Sequence, residues 1–375
     1  MLRQVRLGAD RQERTATSDA LGWWTLSHLA LYVLVGGAGY VLVARNGAPD
    51  YLALWHHWDA LHYGWIAEGG YALDDPTQGR AAFFPGLPLV LHVLHAVGLN
   101  VTLAGLLVSL FAGAVGAVAL ARLAELDAGG TGGLAVLALV ASPAAVFLAA
   151  PYSESLFLAL ALPAWLMARK GRWLPAAVLA AGAASVRVSG IFLAIALVVQ
   201  WLTEPVRRRR VADAAALALP AVPVLAYMLF LHAGSGDWLA WAHAQSVGWD
   251  RNPTWPWDAF ATSWHDTMVG SQRTEFVFIA RLELLAMAAG IATTVWCGLR
   301  HRWGEMVYVG ITVVALGTST HYMSVHRAAL LWWPLWTGLA LAVRDRPWLL
   351  RTYLAVSVPL AAVIATAYCT AHWPG

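Results

Sequence analysis

The chain has 375 residues, 59% of them hydrophobic and only 12% charged, with a net charge of +3. A soluble globular domain carries about 25% charged residues, so a water-soluble enzyme is excluded and an integral membrane protein is indicated. The two cysteines, Cys297 and Cys369, both fall inside apolar runs, which argues against a disulfide framework and against a thiolate metal site.

The N-terminal segment 1–22 is basic and reads as cytoplasmic. The apolar run at about 23–43 follows it without a small-residue cleavage site, so it is expected to stay in the chain as a first spanning helix. A polar interruption at about 44–100 reads as a first outer loop. Within it, FPGLPLVLHVLHAVGL at 84–99 falls short of the ~20 residues a spanning helix needs and is expected to lie along the outer surface. Further apolar runs occur at about 101–121, 133–150, 154–168, 174–186, 191–203, 211–232, 277–298, 306–317, 328–343 and 352–370. The pattern predicts an all-α polytopic membrane protein with about eleven passes. A single transmembrane domain is expected over 23–375, with a second outer loop at 233–276.

Charge asymmetry orients this layout. With a cytoplasmic N-terminus, the inner segments receive Arg3, Arg6, Arg11, Arg14, Arg122, Arg169, Lys170, Arg172, Arg207 to Arg210, Arg300, Arg302, Arg344, Arg346 and Arg351, and the outer segments only Arg45, Arg80, Arg251 and Arg273. The basic clusters at 169–172 and 207–210 must then share a side, although only about 34 residues separate them. Two arms of about 13 residues rise ~20 Å each against a hydrocarbon core of ~30 Å. They form a short hairpin whose tip, SVRVSG, carries Arg187 within the membrane depth. A single tilted helix is the competing reading. An arginine there costs about 2.5–3.5 kcal/mol unless it meets water or an anion. An ion pair with Glu154 and a contact to a lipid-linked phosphate are both open.

In the first loop, HHWDALHYGWIAEGGY places Asp59 among Trp58, Tyr63 and Trp65. Rings stack on the apolar faces of a sugar while a carboxylate takes a proton from a hydroxyl nucleophile. Simple anchoring of aromatic residues at the membrane interface is the alternative. In ASPAAVFLAAPYSESLFLAL, Pro143 and Pro151 break the helix, and Ser153 can cap the helix that follows. Capping does not require Glu154 beside Tyr152, so Glu154 stands as a second candidate carboxylate. The 233–276 loop alternates tryptophans with aspartates, which suits an acceptor glycan or interfacial anchoring. STHYMSVHRAALLWWPLW places His326 and Arg327 at the outer mouth of a helix, where they offer further cationic contacts for phosphate. The five-residue spacing of His321 and His326 does not suit zinc, and no metal or other cofactor is predicted, although Asp74 and Asp75 could hold a divalent ion.

These motifs carry a resemblance. HWDALHYGWIAEGGY with AAFFPGLP resembles the first-loop signature of the PIG-V-like mannosyltransferases, a branch of the glycosyltransferase C superfamily. SPAAVFLAAPYSESLF is similar to that family's motif after its third span, AASVRVSGIFL resembles its arginine-bearing hairpin tip, and HRAALLWWPLW echoes its late Arg and Pro segment. The chain departs from the pattern at His57, where arginine or lysine is common, in FFPGLP, which lacks the usual tyrosine, and after Arg187, where asparagine is common. The resemblance implies a glycosyltransferase C-type catalytic domain that takes mannose from a polyprenyl-phosphate carrier. It passes the sugar to a glycolipid or glycan acceptor on the extracytoplasmic face of the cell membrane. Asp59 is then the catalytic base. Arg187, His326 and Arg327 are the donor-phosphate contacts, and Trp58, Tyr63, Tyr152 and Glu154 hold sugar or acceptor. No nucleic-acid partner is expected. Another lipid-linked sugar, or a transporter of such lipids, is the competing reading.

Overall fold

The computed structural model describes residues 2–43, 50–75, 79–205, 209–268 and 274–373, with side chains from 14 onward except 274 and 275. Arg45, Arg207, Arg208 and Arg273 of the charge pattern lie outside the described residues, and Arg3, Arg6 and Arg11 are described in backbone only.

The described chain is helical, with no strand; one isolated antiparallel bridge joins Pro253 to Ser319. Helix α1 runs Leu2–Ala38 and ends in a π-helical turn at Gly39–Val43. It therefore starts well before the apolar run at 23, because its polar N-terminal half, without proline, is built largely of good helix formers. The stretch that follows holds two short helices, α2 (Asp59–Gly69) and α3 (Gly86–Ala96). Then come α4 (Val101–Asp127), α5 (Gly132–Val140), the single turn α6 (Val146–Ala149) and α7 (Glu154–Arg169). The apolar run at 133–150 is thus not one helix. Pro143 lacks a donor and disfavours helix in the residue before it, so α5 stops at Val140 and the chain folds irregularly to Pro151.

Helices α8 (Trp173–Val186) and α9 (Ser189–Thr203) form the hairpin broken at Arg187 and Val188. After α10 (Val211–Ala216) and α11 (Ala221–Ser235), the stretch read as an outer loop folds into α12 (Ala240–Trp249) and α13 (Pro256–Met268). The chain finishes with α14 (Thr274–Leu299), α15 (Trp303–Gly317), the turn α16 (Val325–Ala328), α17 (Trp333–Arg344) and α18 (Pro347–Cys369).

Among the described residues, five segments are long and apolar enough to cross a membrane: Arg14–Val43, Val101–Asp127, Val211–Ser235, Phe276–Leu299 and Pro347–Cys369. The about eleven passes expected from apolar runs are not matched by helices of spanning length, because several runs are interrupted. Helices α8, α9 and α15, at 14 or 15 residues, rise only about 21–23 Å each.

The core is alanine-rich. Ala117, Ala121, Ala161, Ala164, Ala176 and Ala183 are all buried where α4, α7 and α8 pack. Small side chains let helix backbones approach closely, which is how helices associate where lipid removes the usual hydrophobic drive. At the C-terminal end of α7, Arg169 Nη2 reaches Asp127 Oδ1 at 3.1 Å, and Arg302 Nη2 reaches Asp127 Oδ2 at 2.8 Å. Trp165 Nε1 donates to Glu305 Oε1 at 3.1 Å. These pairs tie α4, α7 and α15 together. The N-terminal end of α7 carries a different cluster of charges.

Candidate active site

Four chain breaks converge there. Trp58 precedes α2 with φ 55° and ψ −125°, a conformation costly for a side chain of its size. It swings Asp59 to the first position of α2, where the Asp59 N–H donates to Tyr152 Oη at 3.2 Å. The PYSES turn starts α7 with Tyr152, Ser153 and Glu154 almost wholly buried. The break between α8 and α9 supplies Arg187. The fourth break is at Ser324, with φ 59°, immediately before α16 and Arg327. Gly190 permits the α8–α9 turn, since a Cβ there would collide with the Ala184 backbone.

The charges form a continuous chain. Asp59 Oδ2 accepts from Arg327 Nη1 at 2.6 Å, and Arg327 Nε donates to Glu154 Oε1. The same Glu154 oxygen accepts from Arg187 Nη1 at 2.6 Å. Arg187 Nη1 also lies 2.8 Å from Ser153 Oγ, which in turn accepts from Tyr63 Oη at 2.8 Å. The Arg327 guanidinium sits over the Tyr152 ring, 4.5 Å from its centroid. Burial pushes the Tyr63 hydroxyl up to about 12, so it acts as a neutral donor. Two results follow for the sequence readings. The ion pair of Arg187 with Glu154 exists. The capping role for Ser153 does not, since its hydroxyl makes no cap bond to α7 and serves Tyr63 and Arg187 instead.

Asp59 Oδ1 has no hydrogen-bond partner among the described residues, and Asp59 lines two adjoining cavities. The first has roughly 700 Å³ of empty space and is walled by Asp59, Tyr63, Arg187, Trp241, Arg251 and Arg327 among others. The second, about 1510 Å³, holds Trp58, His62, Glu283, His321 and Trp373 in its wall. Trp58 meets Trp373 edge to face at 5.0 Å. Trp58 Nε1 and His62 Nδ1 are buried without hydrogen-bond partners among the described residues. Burial lowers the His62 imidazole from its ordinary value, against the opposing pull of Asp59. A third cavity, about 1360 Å³, shares Arg187, Trp241 and Arg251 with the first and continues along Phe192 and Leu316 of α9 and α15. Among the described residues no group of three or more His, Cys, Asp or Glu is placed to hold a metal ion.

Of the residues singled out from sequence, Asp59, Trp58, Tyr63, Tyr152, Glu154, Arg187 and Arg327 come together. His326 does not join them: its Nδ1 faces Glu283 Oε1 at 3.0 Å and it lines none of these three cavities. Glu283 and Arg251 were missed. Glu283 takes the backbone N–H groups of Ser324, Val325 and His326 at 2.6–3.0 Å, fixing α16. A lone acid inside the apolar run at 277–298 was its available signal. Arg251 was read only as one outer charge among four, and no local pattern marks it.

Comparison with known proteins bears on the first half of this site. Residues 38–205 match the family described as mannosyltransferase (PIG-V). The chain is also 37% identical over 147 residues to human GPI alpha-1,6-mannosyltransferase 2, covering 36% of this chain and 29% of that protein. The match thus spans less than a third of that relative's length. Within the PIG-V match lie Asp59, Tyr152, Glu154 and Arg187; Arg251, Glu283 and Arg327 lie beyond it.

Proposed function

We propose that this protein is an inverting glycosyltransferase of the membrane, moving mannose from a polyprenyl-phosphate carrier to a glycolipid or glycan acceptor on the extracytoplasmic face. The observation that carries the reading is Asp59. It opens into two adjoining cavities, one oxygen is fixed by Arg327 and the other has no partner among the described residues, and it lies within the stretch that matches the PIG-V family.

That geometry supports the following chemistry. An acceptor hydroxyl attacks the anomeric carbon, its proton passes to Asp59 Oδ1, and the bond from that carbon to the phosphate oxygen breaks with the electron pair leaving on phosphate. Arg327 keeps the carboxylate oriented, so its free oxygen is presented to one spot rather than rotating. Arg187 and Arg327, in the cavity wall, offset the charge that grows on the leaving phosphate in a water-poor setting. A phosphate needs little acid assistance to leave, so Glu154 acts by holding both guanidiniums in place. His326 contributes through its pair with Glu283, beside Arg327. Tyr63 and Trp58 line the sugar site, Tyr152 stands behind it with its hydroxyl accepting the Asp59 N–H, and sugar hydroxyls would satisfy Trp58 Nε1 and His62 Nδ1.

The test is transfer of radiolabelled mannose from polyprenyl-phosphomannose to endogenous lipid or glycan in membranes carrying wild type or Asp59→Asn. Transfer by wild type, with a drop of about 10²–10⁴-fold in the variant, is expected for loss of a general base. Near-normal transfer by Asp59→Asn would remove the base assignment. No transfer by either would turn the reading first to another lipid-linked sugar and then to a transporter of such lipids.

A further inference from the structure

In the walls of the first cavity and the cluster behind it, three guanidinium groups, Arg187, Arg251 and Arg327, face two carboxylates, Asp59 and Glu154. Both carboxylates are committed. Glu154 is shared by Arg187 and Arg327, and Asp59 pairs with Arg327. Arg251 has no carboxylate within ion-pair distance among the described residues; the contact its guanidinium makes is a hydrogen bond from Nη2 to the Met323 carbonyl at 3.3 Å. A half-buried cation left in this state lacks its counter-ion, and burial together with the neighbouring Arg327 lowers its proton affinity from the ordinary value. The side chain is nevertheless built into place. The Arg251 N–H donates to Gln245 O at 3.3 Å, Asp250 adopts the left-handed conformation that ends α12, and the Thr254 N–H donates to Thr318 O at 2.8 Å. The segment is therefore pinned to the strand-like stretch that leads to Ser324 and Arg327.

Position narrows the ligand. Arg251 and Arg187 stand at the junction of the first cavity, which contains Asp59, and the third, which runs between α9 and α15 past Phe192, Ala315 and Leu316. An anion held at that junction would have a polar group on its Asp59 side and an apolar chain on the other. A guanidinium with no carboxylate of its own suits a phosphodiester, which carries one negative charge, and it grips phosphate oxygens in pairs. Resting on the function proposed above, we propose that Arg251 is the principal contact for the phosphodiester of the lipid-linked donor, with its first prenyl units lying in the groove between α9 and α15.

The experiment measures binding of farnesyl-phosphoryl-mannose, farnesyl phosphate, uncharged farnesyl mannoside and inorganic phosphate to the purified full-length protein in detergent, as wild type, Arg251→Gln and Arg251→Lys. Loss of one charge-assisted contact should weaken farnesyl-phosphoryl-mannose roughly tenfold or more in Arg251→Gln, with Arg251→Lys between the two. Farnesyl mannoside should bind all three proteins alike. Unchanged binding of farnesyl-phosphoryl-mannose by Arg251→Gln would overturn the inference and leave the proposed function standing. Equal losses for the charged and uncharged ligands would reduce Arg251 to a structural role and also overturn it. Arg251-dependent binding of farnesyl phosphate with no preference for the mannosylated form would keep the anion subsite and remove mannose from the functional reading. Inorganic phosphate binding as tightly as the farnesyl compounds would rule out the lipid as the source of the anion. Failure of wild type to bind any of the phosphates would sink both proposals.

Discussion

At the level of single residues, the site is a set of charges of which Asp59, Glu154, Arg187 and Arg327 pair with one another before any substrate arrives, while Arg251 meets no carboxylate among the described residues. Arg327 is its keystone, since it holds both Asp59 and Glu154 while 7% exposed. Removing one member of a buried ion cluster leaves the others uncompensated, at a cost of about 3–5 kcal/mol. Arg327→Ala is therefore expected to lower the thermal unfolding midpoint of the purified protein as well as mannosyl transfer. Asp59→Asn keeps a hydrogen-bonding side chain of the same shape and should lower transfer with a far smaller change in midpoint. Equal stability losses in the two variants would argue that Asp59 serves the fold rather than the reaction. Most of these residues were legible in the sequence, because an acid beside aromatics or an arginine inside an apolar hairpin is costly to keep without a use. Arg251 was not legible, since what distinguishes it is the carboxylates it does not meet.

At the level of elements, two devices position the charges. Glu283 of α14 accepts three consecutive backbone N–H groups at the start of α16, so the four-residue turn that carries Arg327 is fixed by a side chain from another helix. Glu283→Ala should cost roughly 1–3 kcal/mol for the donors left unsatisfied. In transfer assays it should lower kcat more than it raises the donor KM, because Arg327 would lose its orientation while the cavity lined by Arg187 and Arg251 persists. An unchanged kcat would separate Glu283 from the site. The α8–α9 turn depends on Gly190, where a methyl group would strike the Ala184 main chain. Gly190→Ala should cost about 1–3 kcal/mol by overpacking, seen as a lower unfolding midpoint, and should displace Arg187. The short arms of this hairpin were readable from the spacing of the basic clusters. The helices α12 and α13 were not, because a tryptophan- and aspartate-rich stretch looks the same in sequence whether it lies as a loop or folds against the site.

For the molecule as a whole, the charge asymmetry predicts orientation. Both native cysteines are buried, so introduced cysteines can be read with little background. In sealed right-side-out cells a membrane-impermeant maleimide should label Trp257→Cys, between α12 and α14, without disruption, and Lys170→Cys, at the exposed end of α7, only after permeabilisation. The reverse pattern would place the Asp59 cavities on the cytoplasmic side and exclude an extracytoplasmic acceptor.

By itself the sequence determined the class of the molecule, because composition decides whether a chain is stable in water or in lipid, and it determined most of the residues at the centre, because polar groups within apolar surroundings are few. It could not determine how many helices reach spanning length, since prolines and breaks that divide an apolar run take effect only once the chain packs. Nor could it determine the partners of the charges. Asp59 and Arg327 are 268 residues apart and meet at 2.6 Å, and Arg251 meets no carboxylate among the described residues, its neighbours Asp59 and Glu283 being held by Arg327 and by the start of α16. Which charge is matched and which remains for a ligand is a property of distance in space, and only the folded chain sets it.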